Sequence, residues 1–194
     1  MDYVSSQPSQ QNGVNPAVGV TPAVTAVYHP INIHDLLDYI DTLLRKNSTP
    51  QQLIQTVLDT LTAIAWLQID ARAAVFLWRV DQLVLTAQSN LPFDVRTMCA
   101  ALGGGQCVCG TVAVQGIAMI VGSDDVRHTH CAASAAPHQH YCLPIVSMSG
   151  TVYGVLNLYL KTGYTYQEED YRTFALIAAA FAQMLDRRCD ASAD

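Results

Sequence analysis

Eight side chains able to bind metals or exchange electrons fall between positions 107 and 142: Cys107, Cys109, His128, His130, Cys131, His138, His140 and Cys142. Thiolate and imidazole are the natural ligands of zinc, ferrous iron, copper(I) and iron–sulfur clusters. Cys107 and Cys109 follow Gly103-Gly104-Gly105, whose freedom lets the backbone bend and two sulfurs converge. His140 and Cys142 lie two apart on an expected strand and so point to one face, which His138 shares if the strand starts early enough. An expected loop over 122–139 brings His128, His130 or Cys131 over the same point. A four-ligand metal site is therefore expected from among Cys107, Cys109, His128, His138, His140 and Cys142. Each residue taken singly has a plainer account, a buried cysteine as a small hydrophobe or a loop histidine as a hydrogen-bonded surface group. It is their density that argues for chemistry, in a chain with only 13% charged residues. The spacing is not that of a zinc ribbon, because no Cys-x-x-Cys pair recurs. Cys99, among Met and Ala neighbours, reads as core, and Cys189 as incidental.

The elements that must position these residues follow from periodicity. Leu36, Leu37, Ile40, Leu43 and Leu44 have helical spacing, with Asn32 as N-cap and Asp35 three residues on. A second helix starts at Thr49-Pro50 and carries Leu53, Ile54, Val57, Leu58 and Leu61 on one face. These Leu-rich sides offer a dimer surface. Strands are expected over 73–80 and 83–87, joined by a turn at Asp81-Gln82, then a helix over 90–102 and a short helix over 109–115 ended by Gly116. Strands follow over 117–121, 140–147 and 152–159, the last two a hairpin around Ser149-Gly150. Thr165 is the expected cap of a closing helix, with Glu168 completing a capping box. Hairpin-joined strands with helices at both chain ends predict an α+β domain with a mostly antiparallel sheet.

Composition narrows the function. The net charge is −6 with only ten Lys plus Arg, so no basic stripe is available for nucleic acid. No stretch approaches the ~20 apolar residues of a membrane span, and the N-terminus lacks the pattern of a secretory signal. A cytoplasmic protein is expected, in which six cysteines point to metal or redox chemistry rather than to disulfides. Residues 1–28 are rich in Ser, Gln, Asn, Pro and Val and read as a disordered tail. The ordered domain is expected over 31–189.

Three segments resemble the GAF domain family: Gln106-Cys107-Val108-Cys109-Gly110-Thr111, Tyr141-Cys142-Leu143-Pro144-Ile145, and Gly154-Val155-Leu156-Asn157-Leu158-Tyr159 with the acidic start of the last helix at Gln167-Glu168-Glu169-Asp170. The likeness covers roughly 50–186. The set Cys-x-Cys-Gly, Asp125-Val126-Arg127-His128 and His138-Gln139-His140-Tyr141-Cys142 resembles a GAF subgroup attached to bacterial sensor kinases and regulators. GAF domains bind cyclic nucleotides, bilins, haem, other small molecules or nothing, so the fold does not name the ligand.

The reading that joins residues and resemblance is a stand-alone sensor of redox state or a diatomic gas, working through a metal ion, an iron–sulfur cluster or thiols. Iron is favoured and zinc is the alternative. No kinase, cyclase or DNA-binding output follows residue 190, so the signal is expected to pass to a separate signalling protein through the terminal helices of a homodimer. The main rival is an enzyme. Cys109-Gly110-Thr111 and Cys131 also resemble the free methionine-(R)-sulfoxide reductases, which are single-domain GAF proteins. That resemblance makes Cys131 the attacking thiolate and Cys109 its resolving partner. It departs where Ala132 and Ala133 follow Cys131 in place of an acidic residue, and it leaves His138 and His140 without a role. A third reading is a ligand-free module that only dimerises or docks.

Overall fold

The computed structural model describes residues 32–45, 48–129 and 138–190. The expected tail over 1–28, and with it His130 and Cys131, lies outside the described residues. The chain runs α1 (Ile33–Leu44), α2 (Pro50–Ala63), a 3₁₀ turn (Ala65–Leu67), β1 (Ile69–Arg79), β2 (Gln82–Ser89), α3 (Phe93–Met98), β3 (Ala101–Gly103), α4 (Cys107–Gln115), β4 (Met119–Gly122), β5 (Gln139–Val146), β6 (Val152–Leu160) and α5 (Glu168–Asp190). The fold is α+β: a six-stranded sheet in the order β3-β2-β1-β6-β5-β4, with every neighbouring pair antiparallel.

Local chemistry starts the first two helices as the sequence predicts. The Asn32 side chain accepts the Asp35 amide at 3.0 Å. Thr49 and Gln52 cap each other, the threonine hydroxyl accepting from the Gln52 amide and the glutamine carbonyl from the Thr49 amide. The last helix differs. It begins at Glu168 rather than behind Thr165 because a tyrosine hydroxyl takes over the capping: Tyr164 Oη accepts the Gln167 amide at 3.4 Å and donates to Asp170 at 2.8 Å. The expected helix over 90–102 also shortens. Ala101 and Leu102 leave it and, with Gly103, pair with Val84, Leu83 and Gln82 of β2, which buries Leu102. A three-residue strand has no period to read, so long-range pairing decided this segment.

Both sheet faces are covered, and alternate residues serve different cores. Ala73, Val75 and Leu77 of β1, Tyr141, Leu143 and Ile145 of β5, and Leu156, Leu158 and Leu160 of β6 face the helical layer. That layer supplies Leu36, Ile40 and Leu43 from α1, Leu53, Ile54, Val57, Leu58 and Leu61 from α2, and Phe174, Ile177 and Phe181 from α5. Leu36, Ile40 and Leu43 of α1 and the leucine face of α2 thus lie in the chain's own interior, with Leu37 half-buried. The residues in between, Ala74, Phe76, Cys142, Val155 and Tyr159, face a smaller core closed by Leu91 and Val95 and by Val108, Cys109, Val112 and Ala113 of α4. Among the described residues, no helix is long and apolar enough to cross a membrane.

Two glycines of the sequence motifs are there because backbones touch. A Cβ on Gly110 would lie 2.6 Å from the Gly103 carbonyl oxygen, so α4 sits directly on the turn after β3. A Cβ on Gly154 would lie 1.9 Å from the Phe76 carbonyl oxygen, at the point where β6 pairs with β1. Gly154→Ala is therefore expected to destabilise the protein by at least about 2 kcal/mol, as overpacking against backbone does. Urea unfolding checks this, and an unchanged midpoint would mean that β1 and β6 are not so closely joined.

Candidate functional site

The site grows from the parity of β5. Tyr141, Leu143 and Ile145 must fill the helical core, so His140 and Cys142 point the other way, toward α4. His138, just before the strand, falls in the same phase and is buried. Its carbonyl accepts the Ser123 amide at 2.8 Å, which ties the start of β5 to the end of β4. The third histidine comes from the turns after β4. Arg127 and Asp125 pair at 2.6 Å, and the His128 amide donates to the Asp125 carbonyl at 2.8 Å, so the Asp-x-Arg-His segment is a compact turn that presents His128. The Arg127 guanidinium holds the Asp125 carboxyl well below its usual range, and the pair stays charged across physiological pH.

The three imidazoles meet edge to face. Ring centroids are 5.3 Å apart for His128 and His138, 4.9 Å for His128 and His140, and 5.5 Å for His138 and His140. One nitrogen from each lies within 4.8 Å of the other two. Metal–nitrogen bonds of about 2.1 Å at a tetrahedral ion would place these atoms about 3.4 Å apart, so side-chain closure of no more than about 1.4 Å would make a three-histidine ligand set. His140 is 1% exposed, and neither of its ring nitrogens has a partner in hydrogen-bond geometry among the described residues. Burial, followed by the neighbouring His128 and His138, pushes its pKa down to about 3, against smaller opposing effects of Asn157 and Asp125. The ring is thus neutral at physiological pH, the form that offers a lone pair to a metal.

A small cavity adjoins the triad, lined by Phe76, Leu91, Val95, Leu102 and Tyr159 with Cys99, Cys107, Cys109 and Asn157. It leaves about 20 Å³, against the about 10–15 Å³ that one water requires. A bilin, a haem or a nucleotide does not fit this space. A wider groove of about 540 Å³ opens on the other side of His138, but its cations are engaged, Arg72 with Asp70 at 2.7 Å and Lys161 with the Ala65 carbonyl at 3.0 Å.

The six expected ligands therefore divide. His128, His138 and His140 converge. Cys109 and Cys142 are buried against each other, Sγ to Sγ 3.7 Å, with Cys109 on the cavity wall. The hydrogen-bonding contact with the Cys142 thiol, and then burial, push the Cys109 thiol well above its usual range. Cys107 opens α4 with φ 54°, a left-handed conformation costly for a residue with a Cβ, and also lines the cavity. Three participants were not foreseen. Cys99 caps α3 half-buried, packs against the smaller core as expected and also lines the cavity. Tyr159 packs its ring against His138 and His140, at 5.1 and 5.3 Å, with the Arg72 guanidinium 4.7 Å from its ring centroid. Asn157, 4% exposed, donates to Cys109 Sγ at 3.6 Å and leaves its carbonyl oxygen unpartnered among the described residues. A signal for Asn157 was present, since it is the polar residue inside the apolar run Val155 to Leu160.

The depressed pKa of His140 has a consequence for stability. Unfolded, the residue takes up a proton near pH 6.5, and folded, only near pH 3. Above 6.5 both states are neutral and the residue contributes no slope. As the pH falls from 6.5 toward 3 the unfolded state holds the extra proton, so the metal-free protein is expected to lose up to about 1.4 kcal/mol per pH unit from this residue. Urea unfolding at a series of pH values should show a slope that His140→Gln flattens. An equal slope in the variant would assign the proton to another group.

The GAF domain family model matches residues 47–186. Solved structures with the same fold include the free methionine-R-sulfoxide reductase from Neisseria meningitidis in complex with its substrate, at 16% identity and TM-score 0.69, covering 86% of this chain and 98% of that one. The GAF domain of a phosphoenolpyruvate-protein phosphotransferase from Coxiella burnetii matches at 16% identity and TM-score 0.67, covering 84% and 98%. A GAF domain from A. Aeolicus in an inactive state matches at 16% identity and TM-score 0.64, covering 80% and 96%. No curated protein matches the chain in sequence. At these identities the solved structures share the architecture and leave the ligand open. With a family model spanning α2 to α5 and the same sheet and helices in these relatives, the chain belongs to the GAF domain family.

Proposed function

We propose that this GAF domain is a sensor in which His128, His138 and His140 hold a transition-metal ion, iron before zinc, with one coordination position left open toward the cavity. The observation that carries the reading is His140: a neutral imidazole, fully buried, with neither nitrogen in hydrogen-bond geometry among the described residues, Asn157 as a weak nearby hydrogen-bonding group and two other imidazoles beside it. An orphaned buried polar atom costs about 1–3 kcal/mol, and ligation would offset it. Three neutral nitrogens suit iron, copper, nickel or zinc, and three protein ligands rather than four are the mark of a site that takes an outside ligand. The size of the cavity limits that ligand to about a diatomic molecule. The likeness of the Cys-x-Cys-Gly, Asp-x-Arg-His and His-x-His-Tyr-Cys segments to GAF domains attached to bacterial sensors supports the same role.

The thiols stand beside this centre rather than in it, which narrows the ligand set expected from the sequence to the histidines. When bound, iron would supply the affinity for a diatomic ligand and zinc would not. The chain's own part is to present three imidazoles, exclude bulk water and carry a shift of β5 outward. Tyr141, between His140 and Cys142, packs on Phe174 and Tyr171 of α5, at 5.2 and 6.5 Å between ring centroids. We place the output on α5, toward a separate signalling protein or a second copy of the chain.

A second reading has one observation of its own. The reductase from Neisseria meningitidis is matched over 98% of its length, and Cys109 lies on the cavity wall as a resolving thiol would. Its proposed attacking residue, Cys131, lies outside the described residues. Turnover of free methionine-(R)-sulfoxide that is lost in Cys131→Ser would establish it.

The test is metal analysis with an optical spectrum on protein purified anaerobically. One iron per chain is expected, with a spectrum that changes on adding nitric oxide. His140→Ala and His138→Ala should each lower metal affinity at least ~10-fold, while Cys107→Ala keeps the metal. Metal retained in the histidine variants, or absent from the native protein, overturns the reading. Stoichiometric zinc would overturn its gas-sensing half.

A further inference from the structure

We propose that Cys109 and Cys142 form a reversible disulfide, a two-electron site separate from the three-histidine centre and independent of whether a metal binds there. The two residues come from elements that the fold presses together, α4 and β5. Their sulfurs are 3.7 Å apart, and both residues are buried, Cys109 at 4% and Cys142 at 0% exposure. A disulfide needs about 2.05 Å, so the sulfurs must close by about 1.7 Å. Side-chain rotation and a small movement of α4, a helix of nine residues, can supply this.

The two thiols differ in access, and that fixes the order of events. Cys109 lines the cavity, and Cys142 lies behind it. The cavity has room for about 20 Å³, the scale of one or two small heavy atoms and so of hydrogen peroxide. The oxidant is therefore a small hydroperoxide. Cys109 Sγ attacks one peroxide oxygen as the O–O bond breaks, and the bond's electron pair leaves with the other oxygen, which takes the Cys109 thiol proton and departs as water. Cys109 is then a sulfenic acid. Cys142 Sγ, already in contact, attacks Cys109 Sγ. The S–O bond breaks, the S–S bond forms, and the hydroxyl leaves with the Cys142 proton as a second water. The two sulfurs have together lost two electrons to the peroxide. A dithiol reductant reverses the change by exchange.

The position of this bond gives it a use. It would close a covalent ring over residues 109–142, which contains the turn carrying His128 and the tie between His138 and Ser123. Oxidation would fix α4 to β5 beside the histidines, across two of the elements that line the cavity.

The experiment uses the full chain, treated with chelator to remove metal, exposed to one equivalent of hydrogen peroxide, alkylated and mapped by mass spectrometry. The expected product is 2 Da lighter before alkylation and takes up two fewer alkyl groups, with one linked peptide pair joining 109 to 142, restored by dithiothreitol. Cys142→Ser and Cys142→Ala should stop at a sulfenic acid on Cys109 that dimedone traps. Having two variants guards against one that fails to fold. His140→Ala, which removes the metal reading, should still form the link. A link between Cys109 and Cys131, oxidation at Cys99 or Cys107 alone, or no loss of mass would each overturn the proposal. Metal binding without the link would overturn it and leave the metal reading intact, and the link without metal would do the reverse.

Discussion

The structure depends on a sheet buried on both faces. Each central strand has to satisfy two cores at once, and the side-chain period of two leaves no freedom in how it does so. In β5 the requirement is visible residue by residue. Tyr141, Leu143 and Ile145 close the helical core, and His140 and Cys142 are consequently aimed at α4. In β6 the same rule puts Leu156 and Leu158 on one side and Asn157 and Tyr159 on the other. A slip of one residue would turn the candidate site into the helical core and the helical core into the site. Stability and site geometry are therefore one constraint, enforced at its tightest point by Gly154 against the Phe76 carbonyl.

The electrostatics follow from that burial. A histidine on this face stands among apolar groups and other imidazoles, with the one nearby acid, Asp125, already held by Arg127. Protonation is opposed, so His140 is kept neutral by its surroundings rather than by a partner. The Cys109 thiol is kept protonated by its contact with Cys142 and by burial. The result is a compartment of neutral donors with little space, in which a cation or a small neutral molecule is better accommodated than an anion.

Much of this was legible in the sequence, for identifiable reasons. The caps at Asn32 and Thr49 depend on neighbours three residues away, and the shared face of His140 and Cys142 depends on alternation alone. What escaped was decided at long range. β3 exists because Leu102 is buried by pairing with Leu83, and Tyr164 displaces Thr165 as the organiser of the entry to α5. Most leucines of α1 and α2 lie in the chain's own helical core, α2 against the sheet and α1 against α5 and α2, which spacing within each helix could not show. The division of the six expected ligands into three histidines and a thiol pair was hidden for the same reason. Spacing shows which residues can share a face, whereas the distance between a helix and a strand is set by packing, here by Gly110 against Gly103.

The histidines reach the centre by two different routes, and the difference matters for how such a domain diverges. His138 and His140 are fixed in phase with a strand, so nothing can be inserted after them in β5 without exchanging the two cores. His128 arrives on a turn outside any strand, tied to β4 by Arg127 on Met119 and by the Asp125 amide on the Gly122 carbonyl. Residues gained or lost between His128 and His138 leave the parity of β5 untouched. Two donors are thus inherited with the architecture, while the reach of the third and the width of the opening beside it can drift. One scaffold could in this way be tuned from one small ligand to another without refolding.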